Sequence, residues 1–223
     1  SLKKWMGYID MYILFPHELR KRITNCPMDT LFVFTDHALG PWVPLVKNRP
    51  HVIHCHDFLA QRSALKELPE NITSFSGRKY QYFIRSGFSK GKSFISVSEN
   101  TRKDLIRFLP SIPPVNEVIY NSLSHSFRLI DPIKARELFY NKTELKLTYG
   151  YILHVGGNQW YKNRVGVIEL YNAWRTISKV DLPLMLIGRE PDKKLTSMIS
   201  SSPYKKDIHI VCDVDDDLLK VAY

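Results

Sequence analysis

The chain of 223 residues has few cysteines and no long apolar run. Its three cysteines, Cys26, Cys55 and Cys212, are odd in number and far apart. They form neither a disulfide framework nor a Cys-x-x-Cys metal or redox motif, which favours a reducing compartment. No stretch reaches the roughly 18–20 apolar residues that cross a bilayer, and the opening residues lack a secretory-signal pattern. The expectation is a soluble protein of the cytoplasm. A Walker loop, the three-glycine dinucleotide fingerprint and a repeat of fixed period are all missing, so the usual P-loop and dinucleotide enzymes are not indicated.

What is present is an ordinary globular composition, 44% apolar and 24% charged, with an excess of cations, 32 Lys and Arg against 22 Asp and Glu. The excess is uneven: residues 1–122 carry 17 cations and 10 carboxylates, residues 123–223 carry 15 and 12. Such a balance favours anionic partners without specifying a fold. Nucleic acid is the weaker choice, because the basic residues are dispersed and no recognised nucleic-acid-binding pattern occurs.

Short apolar runs alternate with helical patterns, as in parallel α/β proteins. Strands are expected at Leu31–Thr35, Val52–His56, Phe94–Val97 and Val118–Tyr120, then at Ile152–Val155, Leu184–Ile187 and Ile208–Val211. Val165, Ile168, Tyr171, Trp174 and Ile177 recur every three residues, the stripe of an amphipathic helix laid on a sheet. The domains expected are 1–122, a connection at 123–150, and 151–223. Both sheets are expected to be incomplete, because the second has three strands where such a domain normally carries five or six.

Four segments could carry chemistry or binding. In Pro50-His-Val-Ile-His-Cys-His-Asp57, strand alternation sends His54 and His56 to one face and Cys55 to the other, which argues against a zinc site from all three. His56 and Asp57 fall at the carboxyl end of the strand, where parallel sheets bind ligands; the bland alternative is that they satisfy neighbouring loops. In Tyr151-Ile-Leu-His-Val-Gly-Gly157 and the following Lys162 and Arg164, a glycine turn, a helix start and two cations outline a diphosphate site; the bland alternative is a tight strand-to-helix turn with solvated charges. Phe34-Thr-Asp-His37, ahead of Gly40 and Trp42, could be another ligand edge or an anchored loop. The segment Trp5–Phe15, flanked by Lys3, Lys4, Arg20, Lys21 and Arg22, could lie on a membrane surface or be a buried helix with solvated ends.

Four segments in order, His54-Cys-His-Asp57, Phe94-Ile-Ser-Val-Ser-Glu-Asn-Thr-Arg-Lys-Asp-Leu105, Val118-Ile-Tyr-Asn-Ser122, and the Tyr151–Gly157 run with Lys162-Asn163, resemble the retaining, nucleotide-sugar-dependent glycosyltransferases of family four, of GT-B fold. The resemblance implies two Rossmann-like domains, with the acceptor on the first and a nucleoside diphosphate sugar on the second. It implies transfer of a hexose with retention at the anomeric carbon to a glycan, lipid-linked or small-molecule acceptor. It places His56, with Asp57 beside it, near the transferred sugar, and puts Gly156, Gly157 and Lys162 on the donor diphosphate. The family usually carries an arginine where Gly157 stands, and Arg164 is the candidate to replace it. No metal or cofactor beyond the sugar donor is expected. The family's paired glutamates would fall beyond Tyr223, so the chain reads as truncated at both ends. The alternative is a non-catalytic scaffold kept for interaction.

Overall fold

The structure, a computed structural model, describes residues 2–123, 127–147 and 149–223. The side chains of Lys3, Lys4 and Trp5, and residues 124–126 of the expected connection, lie outside the described residues. The chain divides into two compact units, Ser1–Ser122 and Leu123–Tyr223.

The first unit opens on a long helical run, α1 (Leu2–Ile9), a π turn (Asp10–Leu14) and α2 (Phe15–Thr24). Pro16 explains the π turn: it has no N–H for the Tyr12 carbonyl and its ring crowds that oxygen, so the helix widens ahead of it. There follow β1 (Phe32–Phe34), a 3-10 helix (His37–Val46), β2 (His51–Cys55), α3 (Leu59–Ala64), α4 (Phe75–Phe88), β3 (Ser93–Ser96), α5 (Glu99–Phe108) and β4 (Val115–Val118). The strands pair in parallel in the order β1-β2-β3-β4. Ser74 and Ser98 cap α4 and α5, accepting from the Gly77 and Thr101 N–H groups. Leu109, before Pro110, turns extended and ends α5.

Alternation along β2 puts Ile53 and Cys55 in a core with Phe58, Phe88, Phe94 and Leu105. Full burial of a side chain such as Phe94 contributes roughly 1.5–3 kcal/mol. The tightest packing is backbone on backbone. A Cβ on Gly87 of α4 would overlap the Gly40 carbonyl oxygen, and one on Gly40 would overlap that of Ile84, so the 3-10 helix and α4 touch with no side chain between them.

The second unit comprises α6 (Pro132–Thr143), β5 (Ile152–Val155), a 3-10 turn (Trp160–Lys162), α7 (Arg164–Ile177), β6 (Leu184–Ile187), α8 (Lys193–Ser201), a further 3-10 turn (Lys205–Asp207), β7 (Ile208–Val211) and α9 (Asp216–Ala222). Its sheet is parallel, in the order β5-β6-β7. All four residues of β6 are buried, as a central parallel strand covered on both faces requires. Leu184 and Leu186 face Ile168 and Tyr171 of α7 and Leu195 of α8. Met185 and Ile187 face Phe139 of α6 and Ala222 of α9.

Two expectations are corrected. The fourth strand lies at Val115–Val118, pairing Ser93 with Val115 through Ser96 with Val118, not at residues 118–120. The segment 123–150 is not only a connection: α6, capped by Asp131, is part of the second unit and covers one face of its sheet. Because the Gly40–Gly87 contact leaves no room for a methyl group, Gly87→Ala should lower stability by roughly 1–3 kcal/mol, read as an earlier urea-unfolding midpoint. An unchanged midpoint would mean that the two helices part easily.

Candidate functional site

Chemistry-bearing residues collect at the carboxyl ends of the strands in each unit. In the first, β1 delivers Asp36 and His37, and β2 delivers His54, His56 and Asp57. Two carboxylates are spent on local turns: Asp36 Oδ1 accepts from the Ala38 N–H at 2.6 Å and Asp57 Oδ1 from the Leu59 N–H at 3.0 Å. His56 is exposed, and its Nε2 lies 2.9 Å from the Thr35 carbonyl oxygen. A carbonyl can only accept, so Nε2 carries a proton, and in the neutral ring Nδ1 keeps its lone pair. The Thr101 hydroxyl donates to the His56 carbonyl at 3.0 Å, pinning the strand end to α5.

The His54 ring stands 4.4 Å from that of His56, so the pair shares one face as alternation requires. Cys55 points into the core, where burial pushes its thiol up to about 12. Among the described residues no group of histidine, cysteine or carboxylate side chains is arranged to hold a metal ion. His37 is buried against Phe58, with ring centroids 4.5 Å apart. Its Nδ1 is 3.3 Å from Asp36 Oδ1 but in no hydrogen bond. His51 is a core histidine with both nitrogens used: Nδ1 pairs with the Arg49 carbonyl at 2.8 Å and Nε2 accepts from the Lys92 N–H at 3.0 Å.

In the second unit the β5 and β6 loops meet through glycine. Gly188 follows β6 with φ 154°, and a Cβ there would overlap the Gly156 carbonyl oxygen. The Gly156 N–H, expected to face a ligand, instead donates to the Ile187 carbonyl at 2.9 Å. Lys162 is exposed and its stem folds over Gly156: its Cδ and Cγ lie 3.1 and 3.2 Å from where a Cβ on that glycine would be. Asn163 takes the left-handed conformation at φ 44° and caps α7, accepting from the Gly166 N–H at 3.2 Å.

Arg164, expected to reach outward, is turned into the protein and only 4% exposed. Its Nη1 donates to Asn158 Oδ1 and to the Arg189 carbonyl, both at 2.7 Å, while Asn158 donates to the Glu190 carbonyl at 2.7 Å. The guanidinium thus ties the loop after β5 to the loop after β6. Its Nε and Nη2 are buried without a partner, and burial pulls its pKa down. His154, which strand alternation alone does not mark as functional, lies beside this group. Burial first, then Arg164 and Lys162, hold its pKa below the usual imidazole value. The structure therefore gathers His154, Lys162 and Arg164 around the end of β5. His56 and Asp57 belong to the first unit, at the end of β2.

Neither a protein-family model nor a curated protein matches the chain. Among solved structures it is similar to Alr3699/HepE from Anabaena, determined in complex with UDP and glucose, with a TM-score of 0.65 and 11% identity. The match covers 93% of this chain and 53% of that one, so the chain spans about half the length of that structure. At such identity the likeness is one of fold. With the two parallel sheets, it establishes the α/β class of GT-B type.

His37, His54 and His154 are each held below the ordinary imidazole value of 6.5, with burial the first cause. The unfolded chain then binds more protons than the native one just below that pH. Stability should be whole above about pH 6.5 and fall as the solution is acidified through it. Melting temperature against pH checks this, and His37→Phe should flatten the slope in that window. A melting temperature unchanged on acidification through it would contradict the assignment.

Proposed function

We propose that the chain acts as a glycosyltransferase, moving a hexose from a nucleoside diphosphate sugar to an acceptor hydroxyl with retention at the anomeric carbon. One observation carries the reading: a histidine, a lysine and a buried arginine converge where Gly156 and Gly188 bring two strand-end loops into backbone contact. That is a compact electropositive seat at a parallel sheet's ligand edge. The fold likeness to a protein determined with UDP and glucose gives the diphosphate reading a precedent.

In the proposed reaction, the bond from the anomeric carbon to the diphosphate oxygen breaks and its electron pair leaves with the phosphate. The acceptor oxygen bonds to the same face of that carbon, and its proton passes to a phosphate oxygen. Negative charge grows on the departing group, so preorganised cations lower the barrier. Lys162, exposed and steered by Gly156, is assigned to the diphosphate itself, with Gly157 in the loop beneath it. Arg164 contributes field and position, because its Nη1 is already committed to the loops. His56 is assigned to the sugar or acceptor: with its proton held on Thr35, the Nδ1 lone pair can receive a hydroxyl hydrogen bond and orient it. Asp57 shapes the turn beside it through the Leu59 N–H.

Calorimetric titration with UDP tests the central assignment. Lys162→Ala should weaken binding roughly tenfold or more, the loss typical of a charge-assisted hydrogen bond. Equal affinity in the variant, with the fold intact by circular dichroism, would remove Lys162 from the diphosphate.

A further inference from the structure

The first unit carries an apolar surface that the sugar-transfer reading does not use. Along α1, the π turn and the start of α2, the side chains of Met6, Ile9, Ile13 and Leu14 are exposed, Ile13 by 63%. On α4, Phe75 and Tyr82 are each 65% exposed. The two helical stretches form one face: the Tyr12 hydroxyl donates to that of Tyr80 at 2.7 Å, and the Tyr12 ring lies 6.0 Å from Phe83. Exposed apolar side chains in this density on a folded surface mark an interaction site.

The charge around the face indicates what covers it. Residues 71–98 hold five Lys and Arg and no Asp or Glu. The cations lie along the aromatic rings, with Lys79 Nζ 4.7 Å and the Arg78 guanidinium 5.8 Å from the Phe75 centroid, and Arg85 5.8 Å from that of Tyr82. Lys79 is exposed and Arg78 and Arg85 are half-buried at the margin of the apolar side chains; basic side chains laid along apolar ones are the pattern of a protein seated at a lipid headgroup layer. Arg20 and Lys21 extend the basic margin along α2. Of the two carboxylates on the helical run, Glu18 is neutralised by Arg22 at 2.9 Å and Asp10 stands exposed. A second copy of the chain meeting this face symmetrically would set cations against cations.

We infer that the face formed by α1, the π turn and α4 docks on an anionic phospholipid surface, with Ile13 and Leu14 entering the headgroup boundary and Arg78, Lys79 and Arg85 meeting lipid phosphates. Sedimentation of the full chain with vesicles of phosphatidylcholine, with and without phosphatidylglycerol, tests this. Binding should require the anionic lipid and weaken as salt rises. Ile13→Glu with Leu14→Glu, and separately Arg78→Gln with Lys79→Gln, should each reduce partitioning roughly tenfold or more. Ile13, Leu14 and Lys79 are exposed and Arg78 is half-buried with its Nε inside the protein, so circular dichroism is read on each variant to confirm that it folds. Absence of binding, equal binding to neutral vesicles, or variants that bind like the parent chain would overturn the inference. So would a dimer in light scattering that Ile13→Glu dissociates. UDP affinity is read on the same samples and should not change, which separates this surface from the sugar-donor seat.

Discussion

Parallel strand pairing is the constraint on which the rest depends. A parallel strand can be followed by its neighbour only after a crossover that carries the chain back over a face of the sheet, so every strand in a sheet ends at the same edge. In the first unit this delivers Asp36, His37, His56 and Asp57 side by side, although they come from two strands about 20 residues apart. In the second it brings the loop after β5 against the loop after β6. The crossovers also cover both faces, which is why Leu184 to Ile187 can be apolar throughout.

That arrangement governs what could be read from the chain. The strands of the second unit were legible to the residue: β6 is buried throughout and reads as an uninterrupted apolar run, and β5 and β7 are short apolar runs broken only by His154 and His209. Val115–Val118 was not: it is an edge strand, its Asn116 and Glu117 are polar, and an apolar search slides past them to Val118. The 3-10 helix of His37–Val46 looked like a loop because Pro41 and Pro44 interrupt any α pattern. Of α6, only Phe139 is buried, so its apolar signal was too thin to show that it belongs to a domain layer. Of the candidate residues, the strand-end positions of His56 and Asp57 and the place of Lys162 just ahead of α7 were readable from the sequence. The inward turn of Arg164 was not, since it depends on Arg189 and on the backbone of Glu190, which come from another strand's loop.

Histidines show the same divide between local pattern and tertiary setting. His51, His54 and His56 lie within six residues of one another, yet the first has both nitrogens used in the core and the last presents a lone pair at the surface. Only the strand's alternation and the neighbour opposite each ring separate them. His154 gains its character from two cations that fold back over it, Lys162 across a glycine and Arg164 from the first turn of α7. Glycine has a comparable part in both units, since Gly40 with Gly87 and Gly156 with Gly188 let main chain meet main chain where any side chain would hold elements apart.

The burial of Arg164 has an effect on how the site would respond to its surroundings. A lysine at the surface is dressed by mobile counterions, and its pull on an anion fades as ionic strength rises. A guanidinium shut away from water holds no such cloud. Its Nε and Nη2 donate to no protein group, and although the Asp192 and Glu190 carboxylates offset part of its charge, the low-polarity matter around it screens the remainder less than water would. An anion bound as proposed would then feel two attractions, one that salt erases and one that it weakens less.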